Sequence, residues 1–329
     1  MPKIVALAGG VGGSKLAFGL YSHLGPDLTA IVNTGDDETM FGLRVCPDLD
    51  TVRYTLSGLA NPQTGWGVDG DTFEALSQLE RFGLATWFKL GDRDLATSLA
   101  RTELLSRGQR LTEVEAHLDQ ALGLTGRLLP MCDEPVATHV TIAGGQELTF
   151  QEYFVQRRHE DPVVSLDYSG ISSARLTGEV RAALESADAV VLCPSNPMVS
   201  IGPIVAVPGL RSLLAGLHVP RVAVSPIVGN AAVSGPAGQM MAAAGCDVSV
   251  VGLARLYGDF LTGIVIDDAD AGRAAELRDL GLAVLATNTL MKTPEDKRRL
   301  AGEVLAWLRE PAPSPAAAGE GRVRVVAHE

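Results

Sequence analysis

Cysteine is scarce in this sequence: there are four in 329 residues, Cys46, Cys132, Cys193 and Cys246, far apart and none in a C-x-x-C pair. That excludes a disulfide framework and a zinc knuckle, and it suits a reducing compartment. Long apolar runs are missing too. Nothing approaches the roughly 18 apolar residues of a membrane span, and glycines break the one hydrophobic stretch near the N-terminus, so neither a span nor a secretory signal is expected. The expected location is the cytoplasm. Positive charge is in deficit, 27 Lys and Arg against 39 Asp and Glu, a formal net charge of −12. This opposes nonspecific binding to nucleic acid or to an anionic membrane. A phosphate-bearing ligand must then be held locally, by backbone N–H groups, a few cations or a metal. What is present is ample apolar material: 46% hydrophobic against 20% charged residues, enough for one large or two ordinary globular domains.

The segment around which the chain is organised runs Gly9-Gly10-Val11-Gly12-Gly13-Ser14-Lys15, after the apolar run 4–8 and before the helical pattern Leu16, Phe18, Leu20. It reads as strand, glycine loop and helix. Glycines let the backbone turn sharply and approach a ligand, and a helix start aims N–H groups and the positive dipole end at an anion. Two uses stay open, phosphate binding and plain packing of helix on sheet. Neither standard fingerprint fits. G-x-G-x-x-G from Gly10 would need glycine at Lys15, and a P-loop needs Gly-Lys-Ser/Thr where the chain has Gly13-Ser14-Lys15.

A second strand is expected at 29–33, with Asn33 where a dinucleotide enzyme places an acid for the ribose. Carboxylates then crowd together as Asp36, Asp37, Glu38, Asp48 and Asp50. Pro47 opens a helix, so Asp48 and Asp50 belong to one helix-entry turn that can hold a hard cation, or one of them is only a cap. At such an entry Asp50 is expected to face solvent or metal and to add little to the core. Asp36 and Asp37 read either as part of the same cation site or as a solvated turn.

Residues 51–130 read as a helical insertion, interrupted by two polar-aromatic pieces around Trp66 and around Trp87 to Asp94 that either wall a pocket or pack. A small antiparallel hairpin is expected from 138–142 and 148–155, with a strand at 163–168; His139 lies in it, structural before catalytic. From 189 the doubly wound pattern returns. The apolar strand 189–193 empties into Ser195-Asn196-Pro197, where an open α/β sheet places ligands. Strands are expected at 221–225, 248–251, 263–266 and 282–286, in a single Rossmann-like, mostly parallel α/β domain over 1–310. Residues 311–329 form a low-complexity tail, expected to be mobile.

The motifs at 8–13, 32–37 and 43–51, together with Leu90-Gly91-Asp92-Arg93-Asp94-Leu95-Ala96-Thr97, Pro194 to Pro197 and Ser225-Pro226-Ile227, are in register with one known family from Ile4 to about Met291. On these residues the chain closely resembles the 2-phospho-L-lactate transferase family of deazaflavin coenzyme F420 biosynthesis. Ser98 stands where many members carry histidine. The resemblance implies transfer of a phosphorylated three-carbon acid from a guanosine diphosphate ester to the deazaflavin Fo, with release of GMP and with Mg2+ as cofactor. The site it implies, joined to the residues above, has four parts. Asp50 and Asp48 are catalytic, and Asp50 and Lys89 bind Fo. Gly9, Gly10, Gly12, Gly13, Ser195, Asn196 and Pro197 bind the diphosphate; Asp36, Asp48 and Asp50 hold the metal. The expected partners are these small molecules and, at most, a second copy of the chain. Two other functions fit a glycine loop on this fold: a regulatory nucleotide-sugar-binding protein resembling the gluconeogenesis factor, and a nicotinamide-dependent oxidoreductase. Asn33 and the missing third glycine argue against the latter.

Overall fold

The computed structural model describes residues 1–309; the tail expected from 311 lies outside them. In chain order, β1 (Ile4–Ala8) leads into α1 (Gly10–Leu24) and β2 (Leu28–Val32). A short hairpin follows, β3 (Glu38–Met40) and β4 (Leu43–Val45), then α2 (Pro47–Leu56). Next come α3 (Glu74–Arg81), α4 (Asp92–Ser106), α5 (Leu111–Ala121) and β5 (Arg127–Pro130). The strands β6 (Ala137–Ile142), β7 (Glu147–Thr149) and β8 (Val163–Ser169) form a separate antiparallel sheet, and β9 (Ala189–Leu192) and β10 (Arg221–Val224) return to the main one.

The main sheet has seven parallel strands, in the order Ala283–Ala286, Gly263–Ile266, β10, β9, β1, β2, β5. Both faces are covered, and the sequence shows why. Val5 and Leu7 of β1 join one core cluster with Ile31 and Leu192, whereas Ile4, Ala6 and Ala8 join the opposite one with Leu16, Leu20 and Leu49. A strand buried on both sides must be apolar at every position, as β1 and β9 are. Strand order reverses at β1, because the chain leaves it for β2 on one side and comes back to β9 on the other. The crevice at the carboxyl ends of β1 and β9 is therefore the topological switch point, where such sheets bind ligands. Among the described residues no helix is long and apolar enough to cross a membrane.

The structure redraws the helical insertion. Leu49, Val52 and Leu56 of α2 pack into the sheet's core with α1, and β5 is an edge strand paired with β2, so the inserted part is α3 to α5. The strand expected at 248–251 does not form: a helix runs over Val250–Leu256 from a Ser249 cap whose Oγ accepts from the Gly252 N–H. Only 147–149 of the second hairpin strand pairs, and 152–156 coil into a π-helix. Within the insertion, Asp92 accepts from the Glu74 and Ala75 N–H groups while Asp71 accepts from those of Arg93 and Asp94. Asp92 and Asp71 thus cap the starts of α3 and α4, which gives the first acid of the Asp92-Arg93-Asp94 run a capping role.

Candidate active site

The head of α1 lies against the turn after β9. Gly9 N–H donates to Ser195 Oγ (3.1 Å), and Gly10 N–H donates to Asp48 Oδ1 (2.7 Å). The glycines are there because neighbours come too close for a side chain. A Cβ at Gly12 would stand 2.5 Å from the Pro194 carbonyl oxygen, one at Gly13 would strike Ser195 Oγ, and one at Gly9 would strike Asp48 Oδ2. Close packing at Gly9, Gly12 and Gly13 thus accounts for three of the glycines, and the helix start lies at the sheet's switch point. Gly12→Val is accordingly expected to destabilise the fold, by roughly 1–3 kcal/mol, through its contact with a backbone carbonyl. Urea unfolding checks this; unchanged stability would show that the packing at Gly12 tolerates a side chain.

Asn196 shapes its own turn. Its Oδ1 accepts from the Met198 and Val199 N–H groups at 2.9 and 3.4 Å, and its Nδ2 faces Met240 Sδ. Pro197 is buried in the same turn.

Two of the aspartates meet beside the loop. Asn33, fully buried at the tip of β2, donates through Nδ2 to Asp36 Oδ1 (2.7 Å), Asp48 Oδ2 (3.0 Å) and the Val199 carbonyl (3.1 Å), while its Oδ1 accepts from the Gly35 N–H. Gln151 reaches Asp36 from the other side. Burial, followed by the charge of Asp48, pushes the Asp36 carboxyl well above its usual range. Burial lifts Asp48 to about 6, against the pull of the Asn33 and Gly10 hydrogen bonds. Asp36 and Asp37 are both buried, so the solvated turn is not what forms. Asp37 points elsewhere: its Oδ2 accepts from Arg44 (2.9 Å) and Cys46 Sγ (3.0 Å), and burial raises it to about 7.

Asp50 does not join the pair. Its Oδ1 accepts from Arg53 Nη1 (2.9 Å) and from Arg101 Nη2, and Oδ2 is buried with no partner. Glu115 binds Arg101 Nε through Oε1 (2.7 Å) and Arg53 Nη2 through Oε2, and Asp119 takes Arg53 Nε (2.7 Å). Asp50 is thus built into a buried ion network joining α2, α4 and α5, contrary to a residue that faces solvent and adds little to the core. The metal set Asp36, Asp48 and Asp50 is correspondingly not assembled; the structure brings two of the three together. Among the described residues no three His, Cys, Asp or Glu side chains group as metal ligands. The pair suits magnesium all the same, since two buried, mutually repelling carboxylates offer hard oxygens, and Mg2+ needs only one or two of them plus ligand phosphates.

Lys89 is exposed on the segment before α4. Trp66 is 43% exposed rather than packed; half-buried Trp87 stacks edge-on against Phe88. His139 pairs with Glu147 across the hairpin, a structural role. What the sequence left unmarked is the frame around the acids. Gln151, Arg101 and Glu115 have no local motif, although Glu115 and Asp119 recur four apart on the buried face of α5, where an acid needs a partner.

The network also carries a pH dependence. Asp94 on α4, accepting from the Tyr54 hydroxyl, is pushed from 3.8 to about 7 by burial and then by Asp50, so the folded state favours its protonated form. That contribution is complete below about pH 4 and is lost as pH rises through 7. Glu115 runs the other way: burial raises it, but Arg101 and Arg53 outweigh this and hold it at about 2, giving stability present above 4.5 and lost on acidification. The melting temperature is expected to fall between pH 5 and 8, and Asp94→Asn to flatten that slope. Equal slopes in the two proteins would remove Asp94 as the cause.

Fold and site together define a Rossmann-like α/β protein whose glycine helix start and buried acid pair meet at the sheet's switch point, joined by the Gly10–Asp48 hydrogen bond. The chain belongs to the 2-phospho-L-lactate transferase family: the family model described as 2-phospho-L-lactate transferase CofD matches residues 4–289. A phosphoenolpyruvate transferase from Streptomyces griseus is 41% identical over 315 residues, covering 94% of this chain and 99% of that protein. A 2-phospho-L-lactate transferase from Methanosarcina acetivorans is 40% identical over 299 residues, covering 91% and 96%. Among solved structures, a Bacillus halodurans protein shares the fold with a TM-score of 0.61 at 16% identity, over 92% of this chain and 98% of its own.

Proposed function

We propose that the protein transfers a phosphorylated three-carbon acid from its guanosine diphosphate ester to the deazaflavin Fo, releasing GMP, in coenzyme F420 biosynthesis. The observation that carries this is the meeting of the α1 glycine start, the Ser195 turn and the Asp36–Asp48 pair at the ends of β1, β9 and β2. A diphosphate in that crevice would meet the positive dipole end of α1 on one side, and to take the Gly9 and Gly10 N–H groups it would displace Ser195 Oγ and Asp48 Oδ1 from them. On the other side it meets carboxylates, which tolerate it only with a counter-charge between them.

In the transfer, the terminal ribityl hydroxyl oxygen of Fo forms a bond to the phosphorus that carries the three-carbon acid. The bond from that phosphorus to the bridging oxygen breaks, GMP leaves with the electron pair, and the hydroxyl proton passes to a base. Bound magnesium would neutralise charge on the phosphates. Asp36 and Asp48 would hold it, kept together by Asn33. Asp50 would offer the acceptor its one uncommitted oxygen, and Lys89 would reach the same ligand from the rim of the insertion. Relatives named for phosphoenolpyruvate and for 2-phospho-L-lactate are about equally similar to this chain, 41% and 40% identical. The donor acid is therefore settled by assay.

Purified protein given Fo and, in separate reactions, the lactate, enolpyruvate and glycerate esters is expected to yield one preferred product by mass spectrometry, with GMP in equal amount. No product from any ester would refute the proposal. Turnover is also expected to vanish after demetallation with EDTA and to return with Mg2+. Full turnover in EDTA would assign the phosphate charge to protein cations instead.

A further inference from the structure

Buried charges are a costly way to join helices. An apolar seam of similar volume would hold α2, α4 and α5 at least as well, so an ion network there calls for a role besides cohesion. This one gathers Arg53, Arg101 and Glu115, each fully buried, with Asp50 and Asp119 nearly so. Its geometry converges on one atom. Both guanidinium groups aim an Nη at Asp50 Oδ1, and both are gripped from behind by the same carboxylate on α5, Oε1 of Glu115 on Arg101 and Oε2 on Arg53. A guanidinium is a rigid planar fork, so fixing one edge of it fixes where its remaining N–H groups point. The Arg44 carbonyl completes the clamp on Arg101 (3.3 Å), as Asp119 does on Arg53.

The outcome is a carboxylate with a divided role. Oδ1 of Asp50 has two cationic partners and Oδ2 has none, although it is buried. A buried carboxylate oxygen without a partner is expensive, which marks it as a place for a ligand group. Ser98 Oγ, one turn before Arg101 on α4, is likewise buried and unpartnered.

We propose that Glu115 is a positioning residue for acceptor binding: by orienting Arg53 and Arg101 together it locks Asp50 so that Oδ2 alone faces the hydroxyl-bearing acceptor. This rests on the assignment of Asp50 to Fo. Glu115 never meets the ligand; it acts through the two arginines. It also ties the acceptor end of the site to α5, so the insertion and the Rossmann core must be docked for Asp50 to be set.

The test is calorimetric titration of the full chain with Fo and, separately, with GDP, in Glu115→Gln, Asp119→Asn and Asp50→Asn. Glu115→Gln keeps the shape and removes the charge that orients both forks. It is expected to weaken Fo binding at least tenfold while GDP affinity stays within twofold. Asp119→Asn disturbs the same network at Arg53 Nε only, and is expected to lower stability yet leave Fo affinity unchanged; equal loss in both variants would mean general loosening and overturn the proposal. If Asp50→Asn loses Fo while Glu115→Gln keeps it, positioning by Glu115 is wrong and the Asp50 assignment stands. If both keep it, the Asp50 assignment fails, and the positioning role with it. Should Glu115→Gln not fold, Arg101→Lys, which keeps the charge but loses the rigid planar fork, takes its place with the same expectation, and unchanged Fo affinity there counts against the proposal.

Discussion

Replacing Asp50 by alanine is expected to destabilise the protein by about 3–5 kcal/mol, the typical cost of removing one partner from a buried ion pair. The size follows from what remains. Arg53 and Arg101 would face each other without the carboxylate that lies on both, in a region where neither side chain reaches water. Glu115 and Asp119 offset part of the positive charge, but each already serves other N–H groups of those arginines. Asp50→Asn keeps a carbonyl oxygen for one guanidinium and should cost less. Urea unfolding of the three proteins measures the difference. A loss below about 1 kcal/mol in the alanine variant, the range of exposed pairs, would show that water enters the network. Loss of transfer activity in Asp50→Ala is consequently no test of catalysis by itself, whereas the asparagine variant is.

Asp48→Asn is expected to cut transfer by roughly a hundredfold or more, the scale seen when a charge that serves the transition state is removed, while the protein stays folded. Asp48 sits where the α1 head, the tip of β2 and α2 meet, accepting from Gly10 N–H and Asn33 Nδ2. Asparagine can keep the first bond. It must then turn an NH2 group toward the Asn33 amide, whose own oxygen is held by Gly35. That loss is partly offset because Asp36 no longer shares its burial with a second carboxylate. Stability should therefore change little, and Mg2+ dependence should shift to higher concentration. Steady-state assays across a magnesium series decide it. A kcat within a few-fold of the parent at every magnesium level, with no shift in the magnesium dependence, would exclude Asp48 from the reaction.

The chain's local patterns were sufficient for β1, the glycine start of α1, β2, the Pro47 entry to α2 and β9. Each of these is set by residues adjacent in sequence: continuous apolar runs, φ-permissive glycines, a proline at the first helical position. Local patterns failed at three kinds of place. Short strands such as β3 and β4 carry Glu38 and Arg44 within three residues each, so no apolar alternation announces them. At 127–130 and 250–256 apolar runs of a few residues fit strand or helix equally, and only pairing with β2 or the Ser249 cap decided which forms. In the site, sequence brought Asp36, Asp37, Asp48 and Asp50 to the right region but could not sort them.

By itself the sequence determined the doubly wound class, the crevice between the glycine start and the Ser195 turn, and the acidic character of what faces it. The three-dimensional packing alone decided that Asp36 and Asp48 form a pair through Asn33, that Asp37 belongs to Arg44 and Cys46, and that Asp50 is clamped by Arg53 and Arg101. The reason is that a carboxylate's role is set by the charges and donors within a few ångströms of it, and here those come from residues as far along the chain as Arg101, Glu115 and Gln151.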